Sequence, residues 1–487
     1  MNLKMIRYIL GAVMVIIGVF MLASCLVALY YREQVGLIYL GVAAGSILLG
    51  ALFKWKKPAN TTIYLKEGCV ATALSWVLMS AIGALPFFIS REIPKITDAV
   101  FETVSGFTTT GASILTDVEA LSKTALFWRS STHWLGGMGV LVFLLAVLPM
   151  TGGSNINLMK AESPGPSVGK LVPKVRRTAR ILYYIYFALT ALETLLLVIG
   201  GNTFYEAICT SMATAGTGGF GIYNDSIAGF SVFSKWVIAI FMIMFGVNFN
   251  FYYLILMRQF RKALRFEEVQ AYLAIVLISS ALVILNVRTL YDNVGQNVTD
   301  SVFQVASIIT TTGFSTTDFN VWPTTSKIIL FLLMFIGACA GSTGGGIKVS
   351  RFQILVKTIL KELGSFIHPR NVKKIQSDGK AVEHETVRSV NVFFITFIII
   401  YSASIFLISL EGYDFETVMS SVAATMNNIG PGFSRVGPAS NFYRFTVLSK
   451  LVFIFDMLAG RLELFPLLIV VHPTLFKNTV ESKILRR

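Results

Sequence analysis

Thr108-Thr109-Thr110-Gly111-Ala112-Ser113 follows a short amphipathic run that begins at Asp98, and it lies between two long apolar segments. Three more stretches repeat the arrangement: Gly216-Thr217-Gly218-Gly219-Phe220, Thr310-Thr311-Thr312-Gly313-Phe314-Ser315 and Asn427-Asn428-Ile429-Gly430-Pro431-Gly432-Phe433. Glycine permits φ > 0 and close approach of neighbouring backbones. A short extended segment of this kind can turn its carbonyl oxygens toward a shared axis. Four of them around one axis would replace the water shell of a bare cation. The sequence therefore predicts a cation pore folded from a single polypeptide.

Composition supports a membrane setting. Of the 487 residues 54% are hydrophobic and 14% charged, against roughly 25% charged in a soluble domain. The expected fold is an all-α polytopic membrane protein. The net charge of +15 falls in short clusters between apolar segments rather than in one patch. That is how topology is written, and it gives no reason to expect nucleic acid. Cys25, Cys69, Cys209 and Cys339 lie in apolar or small-residue runs, with no close pair to suggest a disulfide or metal site. The basic segment Met1 to Arg7 precedes an apolar run too long for a signal-peptide core, so it reads as a retained first span.

A span needs about 20 mainly apolar residues. Segments 6–28 and 35–53 qualify and carry no glycine stretch, so residues 1–57 form an added N-terminal unit. Four pore units follow, at 58–152, 153–262, 263–363 and 364–487. Each reads span, short re-entrant helix, glycine stretch, span. The spans are 68–89 and 125–149, 181–199 and 232–257, 269–285 and 328–340, then 390–410 and 445–471; the second span of unit three is interrupted after 340. The stretch glycines recur about 95 to 117 residues apart, a repeat of the kind transporter folds use. The re-entrant helices are expected at 98–108, 204–214, 299–310 and 415–426. Asp98, Glu206 and Asp300 stand at one constant distance before Gly111, Gly219 and Gly313, while Asp414 and Glu416 precede Gly430 at another. An acid at the start of such a helix suits its positive end and leaves the negative end facing a cation; a plain capping role is the alternative.

Basic clusters follow each second span: Lys170, Lys174, Arg176, Arg177 and Arg180; Arg258, Arg261, Lys262 and Arg265; Lys348, Arg351, Lys357, Lys361, Arg370, Lys373 and Lys374; Lys477, Lys483, Arg486 and Arg487. With Lys4, Arg7 and the cluster near Lys56 they fall on one side, which predicts cytoplasmic termini. Glu102, Asp117, Asp225, Asp318 and Asp414 then lie outward, among basic residues such as Lys95, Arg129, Arg435 and Arg444, so the outer field is moderate.

The predicted filter comprises Thr109, Thr110 and Gly111; Thr217, Gly218 and Gly219; Thr311, Thr312 and Gly313; and Asn428, Ile429 and Gly430. Through Thr109, Thr110, Thr217, Gly218, Thr311, Thr312, Asn428 and Ile429 it would bind the transported ion with neutral dipoles. Such binding is weak enough to release the ion quickly. Carboxylates would suit divalent ions better, so K⁺ is the expected cargo. Because the four stretches differ, the site has only approximate fourfold symmetry.

Two further features lie deeper in the pore. The run 337–348, holding Gly341, Ser342, Thr343, Gly344, Gly345, Gly346 and Lys348, breaks the second span of unit three. It reads as a gate beneath the filter, with a close-packing seam of small residues as the alternative. Arg461 is an intramembrane charge. It reads as an electrostatic barrier facing the pore, with an ion pair to Asp456 or Glu463 as the alternative. Asn248 and Asn250 are weaker candidates for lining the same cavity, and His133 reads as packing or an interfacial anchor. No nucleotide-binding loop and no Ser/His/Asp or paired-Cys constellation stands out, so neither an enzyme nor an organic cofactor is expected.

These residues resemble the TrkH/KtrB/HKT superfamily of K⁺ transporters over nearly the whole length. The marks are Gly111, Gly219, Gly313 and Gly430, the run 340–348, and Gly460-Arg461-Leu462-Glu463. The two extra N-terminal spans favour the TrkH branch over the KtrB branch. The resemblance implies a homodimer with one pore per subunit and a gate made by the glycine-rich loop with Arg461. It also implies a cytoplasmic TrkA-like partner ring that binds nucleotides such as ATP, ADP or NAD. The basic inner loops suit such a ring and suit lipid headgroups equally. The expectation is K⁺ uptake through a channel-like pore of the bacterial inner membrane. The alternatives are a K⁺/H⁺ or K⁺/Na⁺ symporter and, in another class, an integral membrane enzyme using His133.

Overall fold

The computed structural model describes residues 1–56, 58–60, 63–139, 175–368 and 374–472. The rest of the expected span 125–149 lies outside these, as do Lys170, Lys174, Arg370, Lys373, Lys477, Lys483, Arg486, Arg487 and the side chains of Arg176 and Arg177.

Two helices, α1 (Leu3–Tyr31) and α2 (Gly36–Lys54), fold back on one another. Their seam is built from small residues: a Cβ added at Gly11 would meet the carbonyl oxygen of Gly50 at 2.8 Å, and one at Gly50 would meet that of Gly11 at 2.6 Å. With no hydrophobic drive between helices in lipid, such close backbone approach is what holds them. Glu33, in the link between them, reaches across to α5 (Lys123–Gly137) and accepts from Lys123 N at 2.8 Å and Thr124 N at 2.9 Å. The N-terminal helix pair is thus latched to the unit that follows it.

That unit holds α3 (Leu65–Ile89), α4 (Ile96–Phe107) and α5. The second holds α6 (Val175–Ile199), α7 (Phe204–Gly216), α8 (Val232–Phe245) and α9 (Phe249–Leu256), followed by the short α10 (Phe260–Leu264). The third holds α11 (Glu267–Val287), α12 (Val294–Ile309), α13 (Thr324–Phe335) and α14 (Val349–Ile367). A two-stranded hairpin, β1 (Gln376–Ser377) and β2 (Lys380–Ala381), leads into the fourth: α15 (His384–Ser409), α16 (Phe415–Met426), α17 (Val447–Arg461) and α18 (Phe465–Val471). Among the described residues six helices are long and apolar enough to cross a membrane, or seven if the bent pair α8–α9 is one span. Exposed apolar side chains such as Leu48, Tyr184, Leu277 and Phe406 cover their outer faces. The chain is a multi-pass all-α membrane protein.

The re-entrant helices α4, α7, α12 and α16 have 12, 13, 16 and 12 residues, too short to span, and are largely buried among the others. One expectation fails here. Asp300 does not start its helix: α12 begins at Val294, Asp300 lies in its second turn, and its carboxylate accepts from Thr316 Oγ1 at 2.7 Å. Asn293 caps α12 instead, accepting from Gly295 N. Asp98 and Glu206 do fall in the first turns of α4 and α7.

The second spans are more broken than the sequence suggested. Segment 232–257 is not one helix: α8 and α9 meet at 90° across Gly246-Val247-Asn248, where Asn248 caps α9 by accepting from Asn250 N at 2.9 Å. Segment 445–471 breaks where Glu463 (φ 52°) and Leu464 (φ 68°) turn left-handed. Pro466, in the first turn of α18, cannot donate back into a continuing helix.

Candidate functional site

All four re-entrant helices end in the same hydrogen-bonded turn. The residue two places before each stretch glycine is left-handed: Thr109 (φ 56°), Thr217 (φ 53°), Thr311 (φ 58°) and Asn428 (φ 55°). The next N–H reaches back five residues, from Thr110 to Ser105 O (2.9 Å), Gly218 to Ala213 O (2.9 Å), Thr312 to Ser307 O (2.8 Å) and Ile429 to Ala424 O (2.8 Å). This is a Schellman termination, normally built with glycine at the left-handed position. Here Thr or Asn occupies it, at a strain cost of roughly 1–2 kcal/mol each. The glycine that follows is also at positive φ: 78° at Gly111, 76° at Gly219, 84° at Gly313 and 98° at Gly430.

The four turns close into a ring. A Cβ on Gly111 would overlap the carbonyl oxygen of Gly218, one on Gly219 that of Thr312, and one on Gly313 that of Ile429. One on Gly430 would meet the carbonyl oxygen of Thr110 at 2.7 Å, which returns to the first stretch. Each repeat therefore packs the carbonyl just before its glycine against the glycine of the preceding repeat. Only a hydrogen fits at these contacts, so the ring cannot hold this diameter with any other residue.

Behind the ring, hydroxyls and amides tie the turns together. Thr108 and Thr110 share a hydrogen bond (2.8 Å), as do Thr310 and Thr312 (2.7 Å). Asn428 Nδ2 donates to Thr110 Oγ1 and to Met457 O, both at 2.9 Å, joining the fourth repeat to the first. His133 is fully buried, with Nδ1 2.7 Å from Gly106 O and Nε2 accepting from Phe220 N at 3.2 Å. Since the backbone N–H must donate, Nδ1 carries the ring's proton. His133 is a packing residue that buttresses stretches one and two, as its sequence context suggested.

Of the acids expected to lie outward, Glu102 is 1% exposed and pairs with Arg129 (2.8 Å), while also accepting from Ser113 Oγ and Ile114 N. It contributes no free field to an outer mouth. Asp117, Asp225 and Asp414 are exposed. Asp117 lies below the usual carboxylate range because Asn224 Nδ2 donates to it, and Asp414 caps α16.

The loop between α13 and α14 lies against the ring where the third and fourth re-entrant helices end. Gly345 N donates to Thr311 Oγ1 at 2.6 Å. A Cβ on Gly345 would meet Asn427 O at 2.6 Å, and one on Gly344 would meet Thr310 O at 3.0 Å. The loop is ordered by its own contacts: Gly337 N donates to Ile347 O (2.8 Å), Cys339 N to Gly246 O (3.0 Å), and Lys348 Nζ to the carbonyls of Gly344 and Gly345. Phe249 N donates to Gly341 O at 3.0 Å, and Ser342 Oγ to Cys339 O at 2.6 Å. Arg461 donates to Thr343 O (2.8 Å) in the loop and to Gly136 O (2.5 Å) and Gly137 O (2.7 Å) at the end of α5. Of its two acidic neighbours in sequence, Asp456 accepts from Ser404 Oγ at 2.7 Å and Glu463 pairs with Arg351.

The structure thus gathers the predicted filter and the predicted gate residues around one locus. Asn248 reaches it as the cap of α9, with Oδ1 3.4 Å from where a Cβ on Gly341 would stand. Several participants went unread in the sequence: Glu268, Lys450, and the Arg129–Glu102 and Arg351–Glu463 pairs. A charged residue inside an apolar run was the available signal for Lys450; Glu268, beside Glu267 at the edge of its span, offered none. Pairing between residues far apart in sequence has none.

A multi-pass bundle in which four re-entrant helices bring four glycine stretches into one closed ring belongs with the cation-transport class of membrane proteins. The chain belongs to the TrkH family of cation transport proteins, whose profile matches residues 41–478. It is 34% identical to the Trk system potassium uptake protein TrkH of Escherichia coli K12 over 98% of this chain and all of that one. It is 32% identical to TrkG of the same organism over 96% of this chain and 98% of that one. The crystal structure of the potassium transporter TrkH from Vibrio parahaemolyticus superposes with a TM-score of 0.88 at 31% identity, covering 97% of this chain and 99% of that one.

Proposed function

We propose that this chain takes up K⁺ through a channel-like pore whose selectivity filter is made by the main-chain oxygens of the four stretches. The supporting observation is the closed ring of Thr110, Gly218, Thr312 and Ile429 carbonyls against Gly430, Gly111, Gly219 and Gly313. Neutral dipoles at such a ring favour a large monovalent cation and release it readily. The loop 337–348 with Arg461 is the gate: it lies on the inner side of the ring and carries a positive charge on the cation's path. A homodimer in the bacterial inner membrane with cytoplasmic termini, and a TrkA-like nucleotide-binding ring acting on the loop from the cytoplasm, complete the reading. Named potassium uptake proteins of the Trk system among the relatives support it. The division into an N-terminal unit and four pore units follows the helix order.

A K⁺/H⁺ or K⁺/Na⁺ symporter is the second reading. Fully buried Glu193 on α6, beside Thr214 in the last turn of α7, favours it as a place for a coupled proton. Purified chain in liposomes, with K⁺ and Na⁺ flux compared in the presence and absence of a pH gradient, tests both. Passive K⁺-selective flux supports the channel, proton uptake locked to K⁺ supports the symporter, and flux of neither ion rejects both.

A further inference from the structure

The loop beneath the ring is held at both ends by one carboxylate that its own sequence does not contain. Glu268 lies in the first turn of α11 and is 6% exposed. Its Oε1 accepts from Ala340 N at 2.6 Å, at the loop's entry, and from Ser350 N at 3.1 Å, just past its exit. Its Oε2 accepts from Asn248 Nδ2 at 3.4 Å, at the α8–α9 bend.

Each partner has a reason to need it. Ser350 is in the first turn of α14, where the N–H groups have no partner within their own helix. Lys348, the N-cap residue of α14, gives no side-chain cap, so Glu268 supplies one from another helix. Ala340 precedes Gly341, whose left-handed backbone (φ 68°) turns the loop under the ring. The carboxylate also sits at the N-terminus of its own helix, where negative charge is favoured. Hydrogen bonds to an ionised acceptor are roughly twice as strong as neutral ones. The loop's contacts at Gly246, Phe245 and Thr311 are neutral, while Arg461 and Lys348 bring charge to its carbonyls at Thr343, Gly344 and Gly345; Glu268 is the charged group that accepts from the loop's N–H at Ala340.

We propose that Glu268 is the positioning residue that anchors the intramembrane loop, fixing its entry and the start of α14 to the foot of α11, and thereby sets how readily the loop leaves the pore. This rests on the reading of the loop as the gate. The Ala340 and Ser350 bonds meet at one oxygen, so a single side chain ties the loop's entry to the start of α14. Asn248 is bound to the same carboxylate, so the bend of the second unit is coupled to the third unit's loop.

The test uses the full purified chain in liposomes, with Glu268→Gln and Arg461→Ala measured in parallel. Glu268→Gln keeps the shape and removes the charge. The expected result is K⁺ flux about tenfold faster, an unchanged K⁺/Na⁺ ratio, and faster hydrogen–deuterium exchange over 336–352 with no change over 96–113. Unchanged or slower flux with unchanged loop exchange overturns the anchor. If Arg461→Ala speeds flux and Glu268→Gln does not, the loop is a gate and Glu268 is not its anchor; if neither speeds flux, the gate reading falls and the anchor falls with it. Should Glu268→Gln fail to fold, Glu268→Asp, which keeps the charge and shortens the reach, must loosen the same loop segment or the anchor is rejected.

Discussion

Lys450 Nζ stands 2.7 Å from Asp98 Oδ1, with the two side chains each 5% exposed. The pair joins α17 of the fourth repeat to α4 of the first, at the seam where a four-unit ring folded from one chain must close. Asn428 and Thr110 join the same two repeats lower down. Burying two charges is expensive, and a pair repays it only when both partners are present. Asp98→Asn or Lys450→Met alone should therefore destabilise the chain by about 3–5 kcal/mol. The double substitution should recover most of that loss. Thermal unfolding in detergent measures it, and additive losses in the double variant would show that the two side chains act independently.

Gly313→Ser places a Cβ against the carbonyl oxygen of Ile429 at a backbone φ of 84°. Both the overlap and the left-handed conformation push the fourth stretch outward. Overpacking of this kind costs about 1–3 kcal/mol, and the widened ring loses its preference for K⁺. Competitive flux of K⁺ and Na⁺ should show the ratio falling while total flux persists. An intact ratio in a folded protein would mean that this ring does not select.

How much of this was legible in sequence depends on the range of the signal. The re-entrant helices and the glycine turns were readable because each is local: an amphipathic run, a Thr or Asn, a glycine. The helix bounds moved where a polar residue outside the pattern won the cap, as Asn293 does for α12. The α8–α9 bend was missed because Gly246-Val247-Asn248 sits within an otherwise apolar run, and only the Asn248 cap reveals the break. The cyclic order of the stretches was not readable at all. It depends on contacts between glycines and carbonyls about 100 residues apart, such as Gly219 with Thr312.

Acid and base should loosen the outer end of the second repeat from opposite sides. Tyr223 donates to Glu206, which also accepts from Thr203 N at 2.8 Å. Burial pushes Glu206 up, but these hydrogen bonds outweigh it and hold the carboxyl below its usual value. The same bond pushes the Tyr223 phenol up to about 12. A lowered carboxyl stabilises above its unfolded pKa of about 4.3, and that contribution fades as pH falls through the folded value. A raised phenol stabilises below about 10 and fades as pH rises toward 12. Tyr223→Phe should therefore lower thermal stability at neutral pH and flatten both limbs of the pH profile. A profile identical to that of the parent would show that the contact carries no linkage.

Arg461 bonds three main-chain carbonyls in two repeats, Thr343 in the third and Gly136 and Gly137 in the first. Its planar fork bridges these two repeats, and on the proposed gate its charge opposes a cation at the same place. Alanine removes the clasp and the charge, so flux should rise, by about tenfold for every 1.4 kcal/mol of closing energy lost. Arg461→Lys separates the two effects. Lysine keeps the charge but not the planar fork, so it retains the electrostatic barrier while losing the bridge between repeats. If Lys conducts as fast as Ala, the clasp dominates; if Lys conducts as slowly as the parent, the charge dominates. Flux in Ala no greater than in the parent would remove Arg461 from the gate and leave it a packing residue at the junction of α5 and the loop.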